Sequence, residues 1–522
     1  MKSQSRTRKL LAIAGSASTI ALVAVALAGC SSTSGSKTTT LTSMTLAAPN
    51  GPNSLDPALN GNGTPLIWYT QLDYAPLIDR DQNGKAHPDL ATSWHYTSDR
   101  LSFVIELRKG VKFSDGEALT ADSVVNSLEY NKKNSTFPYL SNVSTITATG
   151  PLEVTIALST PDPLLPYGLD QEGQEGDIIA PEGLKNPKLL TTESFGAGEY
   201  VLDTSSTISN SAYVYTANPK YWDKKSVNFK KFTIKVIADD NSTLAALRSG
   251  QVQAAQINSN TAAAGKAAGL TLETANSAFV GVYFADIEGK INPAFANVKV
   301  RQALNLAINR PSVTKALYGT TATPTDQYAA KGTPGYVASL EKLYAYNATK
   351  AKALLAEAGY ANGLSFPLLV QPGALNQNLL AQSMVQDWKA IGVNVTLTAP
   401  TAFSDYVTDL ESGKYPATTY NFYYSNHLTV MQGQFTKPAL YNFLGYDDSK
   451  ANAFATQERS SDIGTAANNA VAAKFETYVV EQALADPVSS ADTLMLTSKT
   501  IKNVQFSSAF PIPDPTKWEP AN

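Results

Sequence analysis

Few groups in this chain have nucleophilic or metal-binding chemistry. Among 522 residues there is one cysteine, Cys30, and there are three histidines, His87, His95 and His427. No His-Glu-x-x-His and no Gly-x-Ser-x-Gly occurs, so zinc hydrolysis and a nucleophile-elbow triad both lack the spacing that assembles them. Nor is there a phosphate loop: Gly196-Ala-Gly198 has no third glycine, and no GxxxxGK is followed by Ser or Thr. Asp79, Asp81, Asn83 and Gly84 match the first half of a calcium loop, with oxygens at alternate positions and the turn glycine sixth. Position seven is Lys85, however, and position twelve, where a bidentate Glu belongs, is Leu90, so a hairpin turn is expected instead. The 44 acidic residues leave a carboxylate pair for glycoside hydrolysis open.

Cys30 closes an ordered N-terminal address. Lys2, Arg6, Arg8 and Lys9 make a positive start, residues 10–28 carry no charge, and small residues precede the cysteine in Leu27-Ala-Gly-Cys30. A run of this length could also just span a bilayer, but its many alanines make it weakly apolar. The order resembles a bacterial lipoprotein signal, with Leu-Ala-Gly-Cys as the lipobox. By that resemblance residues 1–29 are a signal peptide, and Cys30 becomes a lipid-bearing N-terminus that anchors the protein on the extracytoplasmic face of the cell membrane. Residues 31–40 are polar and of low complexity, so 30–41 is expected to be a flexible tether, with the working domain starting near Leu41.

Composition bounds the remainder. A 43% hydrophobic content with 9% aromatics suffices for large cores, in roughly two to three domains. The net charge of −3 becomes more negative once the basic start is removed, and no basic run follows, so no nucleic acid partner is expected. A lone cysteine forms no intramolecular disulfide, which leaves packing to hold the fold.

The elements that must position any site are short and periodic. Residues 42–48 read as a strand, 49–57 as a Pro-, Gly- and Asn-rich loop, and 64–73 as an aromatic-rich segment. Phe103, Ile105 and Leu107 alternate as a half-buried strand, and Thr120 is placed to cap a helix with Val124, Val125 and Leu128 on one face. Residues 232–237 and 279–284 read as strands, and 241–250, 347–360 and 382–390 as helices. Residues 297–310 read as one helix with Val300, Ala303, Leu304, Ala307 and Ile308 on its core face. Trp388 falls on an apolar helix face and is expected to pack rather than to contact a ligand.

Several of these segments have specific wording. Pro88-Asp-Leu-Ala-Thr-Ser-Trp94, the run from Leu101 to Gly116 ending Lys-Phe-Ser-Asp-Gly, and Phe195-Gly-Ala-Gly-Glu-Tyr200 keep a recurrent spacing, as does Asn297 to Arg310. They resemble the family 5 extracellular solute-binding proteins, with Glu199 standing where that family usually has Pro. The resemblance implies an α/β, periplasmic-binding-protein-like fold (type II, cluster C), two lobes on a hinge with an extra third domain. By analogy lobe I is 42–73, 197–275 and 495–522, the family-specific domain II is 74–196, and lobe III is 276–494. The crossings then fall near 275–278 and 491–493. It further implies a monomeric receptor that delivers a small polar solute, peptide or peptide-like, to an ATP-binding-cassette (ABC) importer of two permeases and two ATPases. No catalytic residue, cofactor or metal is expected.

In the peptide-binding branch of that family an acidic side chain of the far lobe pairs with the ligand ammonium. The comparable stretch here is 418–427, and no acid occurs between Glu411 and Asp447, which argues against an enclosed ammonium. Tyr420, Asn421, Phe422, Tyr423, Tyr424, Ser425 and Asn426 instead offer aromatic faces and neutral hydrogen-bonding groups. Such a surface suits an oligosaccharide, a blocked peptide or a delocalised cation. The same alternation equally describes an interior strand. Trp68 and Tyr69 are the corresponding candidates ahead of the first lobe's later segments. The rival classes are an enzyme, and an adhesion or signalling lipoprotein on the same fold.

Overall fold

Two long antiparallel strands, Thr271–Phe284 and Ala485–Thr497, form the middle of an 11-stranded mixed sheet. The second is covered on both faces, so its side chains are buried at nearly every position and the alternation of a half-exposed strand is missing. Three of its buried polar side chains have side-chain partners: Asp486 with Arg310, Ser489 with Thr314, and Ser490 with Asn276. The computed structural model describes residues 41–61, 65–135, 139–372, 375–423, 426–437, 442–506, 511 and 513–521, without the side chains of Ser277, Phe403 and Tyr423. The signal 1–29, Cys30 and all but the end of the tether lie outside the described residues. Among the described residues no helix is long and apolar enough to cross a membrane.

The two long strands serve different neighbours along their length. Their pairs from Thr271↔Thr497 to Asn276↔Asp492 lie beside Ala254–Ile257, followed outward by Ser43–Ala48, Lys231–Val236, Ala212–Ala217 and Tyr200–Leu202. From Ala278↔Ala491 onward the neighbours are Ala417–Tyr423, Leu364–Leu369 and Val393–Thr398. The register steps between Asn276 and Ala278, where the two halves of the sheet meet. Such a bulge bends a strand and raises its local twist.

The cores follow the same division. One holds Met44, Leu46, Trp68, Tyr69, Tyr215, Phe232 and Trp518, and a large separate one runs from Phe279 to Val488. A third is built on the four-stranded antiparallel sheet of Ala91–Tyr96, Ser102–Leu107, Glu153–Leu158 and Val143–Gly150, closed by the helix Ala121–Asn134. Thr120 caps that helix reciprocally with Ser123. At the calcium-like stretch, Ile78–Arg80 and Ala86–Pro88 form a hairpin. Asp81 Oδ1 accepts from the amides of Asn83 and Lys85, and Gly84 sits at φ +78, so the carboxylate organises a turn.

Three helices differ from the sequence reading. The one expected at 382–390 begins earlier, as Gln377–Lys389. The stretch 297–310 is not one helix: Val298–Ala307 ends, Ile308 is extended, and Asn309 caps a second helix, Arg310–Tyr318, by accepting from Ser312 N. Pro311 accounts for the break, because its ring fixes φ and leaves no amide to donate inside a continuous helix. The helix expected at 241–250 is Asp240–Arg248, capped by Asp239. Trp388 is fully buried against Phe366 and donates to the carbonyl of Leu304 at 3.0 Å.

Candidate functional site

Ala417–Tyr423 is an interior strand, antiparallel to Thr271–Phe284 and parallel to Leu364–Leu369. Period-two geometry turns Thr418, Tyr420 and Phe422 to one face and Thr419 and Asn421 to the other. Its last pair, Tyr423↔Ala278, falls where Ala278 also pairs with Ala491, so the strand ends at the crossing between the two halves of the sheet.

The parallel ladder to Leu364–Leu369 stops at Leu369↔Thr418, and Gln371 carries it on with its own groups. Its amide donates to Thr419 Oγ1 at 2.9 Å, and its Oε1 accepts from Asn421 N at 2.8 Å. Tyr420 is buried and stacks on Tyr328, centroids 5.8 Å apart at 17°, and Phe422 lies tilted against Tyr420 at 4.9 Å. Burial lifts both phenols well above their ordinary range, so both are neutral hydroxyls. Asn421 and Phe422 are half-buried. Tyr283, Gln371, Tyr406, Tyr420, Phe422 and Phe443 wall a small cavity with room for about one water molecule. Gln371, Tyr406, Tyr328, Tyr283 and Phe443 come from five other segments, and no local spacing marked them as site residues; only Pro372-Gly373 signalled a loop after Gln371.

Past the strand, Asn426 is buried and caps the helix His427–Phe435 by accepting from Thr429 N at 2.8 Å. His427 is buried between two acids, with Nδ1 3.0 Å from Glu458 and Nε2 3.3 Å from Glu476. Burial alone would lower its pKa, but the two carboxylates overcome this and hold it at about 9, so the ring is cationic at neutral pH. Glu458 and Glu476 thus already face an internal cation. Tyr424 and Ser425, and the side chain of Tyr423, lie outside the described residues.

Trp68 and Tyr69 sit on the short helix Trp68–Gln71, fully buried in the first core. Trp68 Nε1 donates to the carbonyl of Pro513 at 2.9 Å. Tyr69 donates to the carbonyl of Asn50 at 2.8 Å and meets Tyr213 edge-on. The described contacts do not bring this pair together with Tyr420, which is part of the other core, or with Phe422, which packs against it.

A second small cavity is lined by Asp79, Asp89, Glu199, Asp514 and Lys517, with Lys517 Nζ 3.4 Å from Asp79. Burial pushes Glu199 up to about 8, and Tyr221 donates to it at 3.1 Å. Among the described residues no three or more His, Cys, Asp or Glu are arranged to hold a metal ion.

A mixed sheet in two halves joined by two crossing strands, with an uncharged aromatic strand ending at the crossing, defines a two-lobe solute-binding fold of the periplasmic type II class with an added domain. Residues 85–438 match the family described as bacterial extracellular solute-binding proteins, family 5 Middle. The chain is 27% identical over 442 residues to heme-binding protein A of Haemophilus influenzae, covering 76% of this chain and 79% of that one. It is 28% identical over 353 residues to the glutathione-binding protein GsiB of Escherichia coli, covering 66% and 67% of the two chains. Its fold is similar to that of the periplasmic binding protein DppA from Helicobacter pylori, solved in complex with a peptide. The TM-score is 0.75 at 19% identity, with 92% of this chain and 99% of that chain covered. The chain belongs to the family 5 extracellular solute-binding proteins, the substrate-binding components of ABC importers.

Proposed function

We propose that this protein is a lipid-anchored receptor, held through Cys30 at the extracytoplasmic face of the membrane. As a monomer it captures one small polar solute and passes it to the permease and ATPase subunits of its importer. Lobe I (42–73, 197–275 and 495–522) and lobe III (276–494) close on the solute by rotation at the crossing strands, with 74–196 as domain II. The observation that carries this reading is the uncharged strand 417–423 ending at the register step of the crossing pair. The half-buried side chains near that end, Asn421 and Phe422, support a role in meeting a solute held between the halves.

The ligand is peptide-like, or a neutral solute such as an oligosaccharide. The second reading is favoured by the charge pattern: no acid lies between Glu411 and Asp447, and Glu458 and Glu476 are occupied by His427. A free ammonium enclosed there would be costly. Relatives that bind heme and glutathione, by name, are consistent with a site that is not restricted to simple peptides. Native mass spectrometry of the protein purified without denaturation, followed by release of the bound molecule, tests the proposal. A single small polar molecule at one per chain is expected, a ladder of free-amine peptides would remove the neutral-ligand reading, and turnover of a released candidate would remove the receptor reading.

A further inference from the structure

Domain II reaches lobe III by a polar contact and an apolar one. At the tip of its hairpin, Arg100 adopts φ +59, a conformation uncommon for a side chain of this size, and its Nη2 lies 2.6 Å from Asp462 Oδ1. The guanidinium lies over the ring of Tyr96 at 4.4 Å, and Tyr96 in turn donates to the carbonyl of Asp162. Tyr139 and Leu164, from the same domain, are buried within the cluster that otherwise runs from Phe279 to Val488. The structure is therefore in a joined state.

Asp462 is held firmly on its side. It lies between the helices Ser449–Arg459 and Ala466–Glu481, and these carry Glu458 and Glu476, the two acids that grip His427. His427 follows directly on the candidate site residue Asn426. The loop bearing Asp462 is thus coupled through buried charges to the end of the candidate stretch, while Asp462 itself is 60% exposed. An exposed pair is weak glue, which suits a contact that must form and break in each cycle.

We propose that Arg100 is a positioning residue for capture: its ion pair with Asp462 latches domain II onto lobe III and sets the closed fraction without touching the solute. The proposal rests on the closing-lobe reading above. Removal of the pair lowers the ratio of closed to open protein about 1.5- to 5-fold, the range for one exposed ion pair. At about 1 M salt, where the screening length is about 3 Å, wild type approaches the variant.

The test is a distance distribution between spin labels in the ligand-free full chain purified in detergent. Labels are placed on Lys133→Cys in domain II and Lys474→Cys in lobe III; Cys30 is the sole native cysteine and, in the proposed anchor, the lipid thioether occupies its sulfur, so only the introduced thiols react. Two distances are expected, and Arg100→Ala and Asp462→Ala each shift weight to the longer one. The exchanged pair Arg100→Asp with Asp462→Arg returns weight to the shorter, which a merely local packing role would not do. Two distances whose weights ignore all these changes overturn the latch and leave closure standing. One invariant distance overturns both.

Discussion

Replacing His427 by Gln removes the one cation between Glu458 and Glu476 while nearly preserving side-chain reach. The imidazolium is raised from 6.5 to about 9 in a fully buried site, a difference worth about 3 kcal/mol at 1.36 kcal/mol per unit. Because the folded pKa lies above the unfolded one, this stabilisation is fully present below pH 6.5 and is lost as pH rises through about 9. The stability difference between wild type and His427→Gln, from urea unfolding at pH 6 and pH 10, is therefore large at the lower pH and shrinks at the higher. The chain has only three histidines, so the ring proton of His427 can be identified by its disappearance from the variant's NMR spectrum. Its midpoint is expected near 9. A midpoint at or below the unfolded value, or a stability difference independent of pH, would refute the assignment of His427 as a buried cation.

Glu199 gives the same kind of sign. Burial raises it to about 8, so its contribution to stability falls as pH rises from 4.5 through about 8, and Glu199→Gln gains on wild type between pH 5 and pH 9 in thermal unfolding. Arg310 is 3% exposed and bonds Asp486 at 2.6 Å, Asp326 at 3.0 Å and the carbonyls of Pro487, Asn305 and Tyr344. Arg310→Met leaves those groups unpartnered and costs about 3–5 kcal/mol in urea unfolding, whereas an exposed control such as Lys315→Met stays within about 0.5 kcal/mol. Gln371→Ala removes the acceptor for Asn421 N, and any solute identified by mass spectrometry should then bind more weakly in calorimetry by about 1–3 kcal/mol if the strand end is part of the site.

Local signals were readable where the partner lay within a turn or two. Thr120 announced its cap, and Trp388 its apolar face, from neighbours three and four residues away. The false continuity of 297–310 arose because Ile308 keeps the helical period and is fully buried, while Asn309 and Pro311 restart the chain in a new direction. Trp68 and Tyr69 are site candidates in the sequence because they follow the first loop in an aromatic-rich segment. What buries them, the carbonyls of Pro513 and Asn50 and the ring of Tyr213, is brought in from the rest of the fold. His427 looked like a polar member of the candidate stretch, yet its acids come from two later helices. The same limit applies to Gln371, whose role exists only because two non-adjacent strands lie side by side.

The strand Ala485–Thr497 is synthesised long after both of its neighbours in the sheet, yet it occupies the centre, with Asn276 and Ser490 bonded across 214 residues of sequence. Until it arrives, Ala254–Ile257 and Thr271–Phe284 each present an unpaired edge, and neither half of the sheet has its middle. Pairings this distant form slowly, since a long loop must close before any contact rewards it. The nascent chain therefore carries unfinished, adhesive edges throughout the interval between synthesis of the two long strands. A holding chaperone that shields those edges would act from the emergence of Thr271–Phe284 until that of Ala485–Thr497, and a truncation that removes the latter strand would leave both halves of the sheet without their middle.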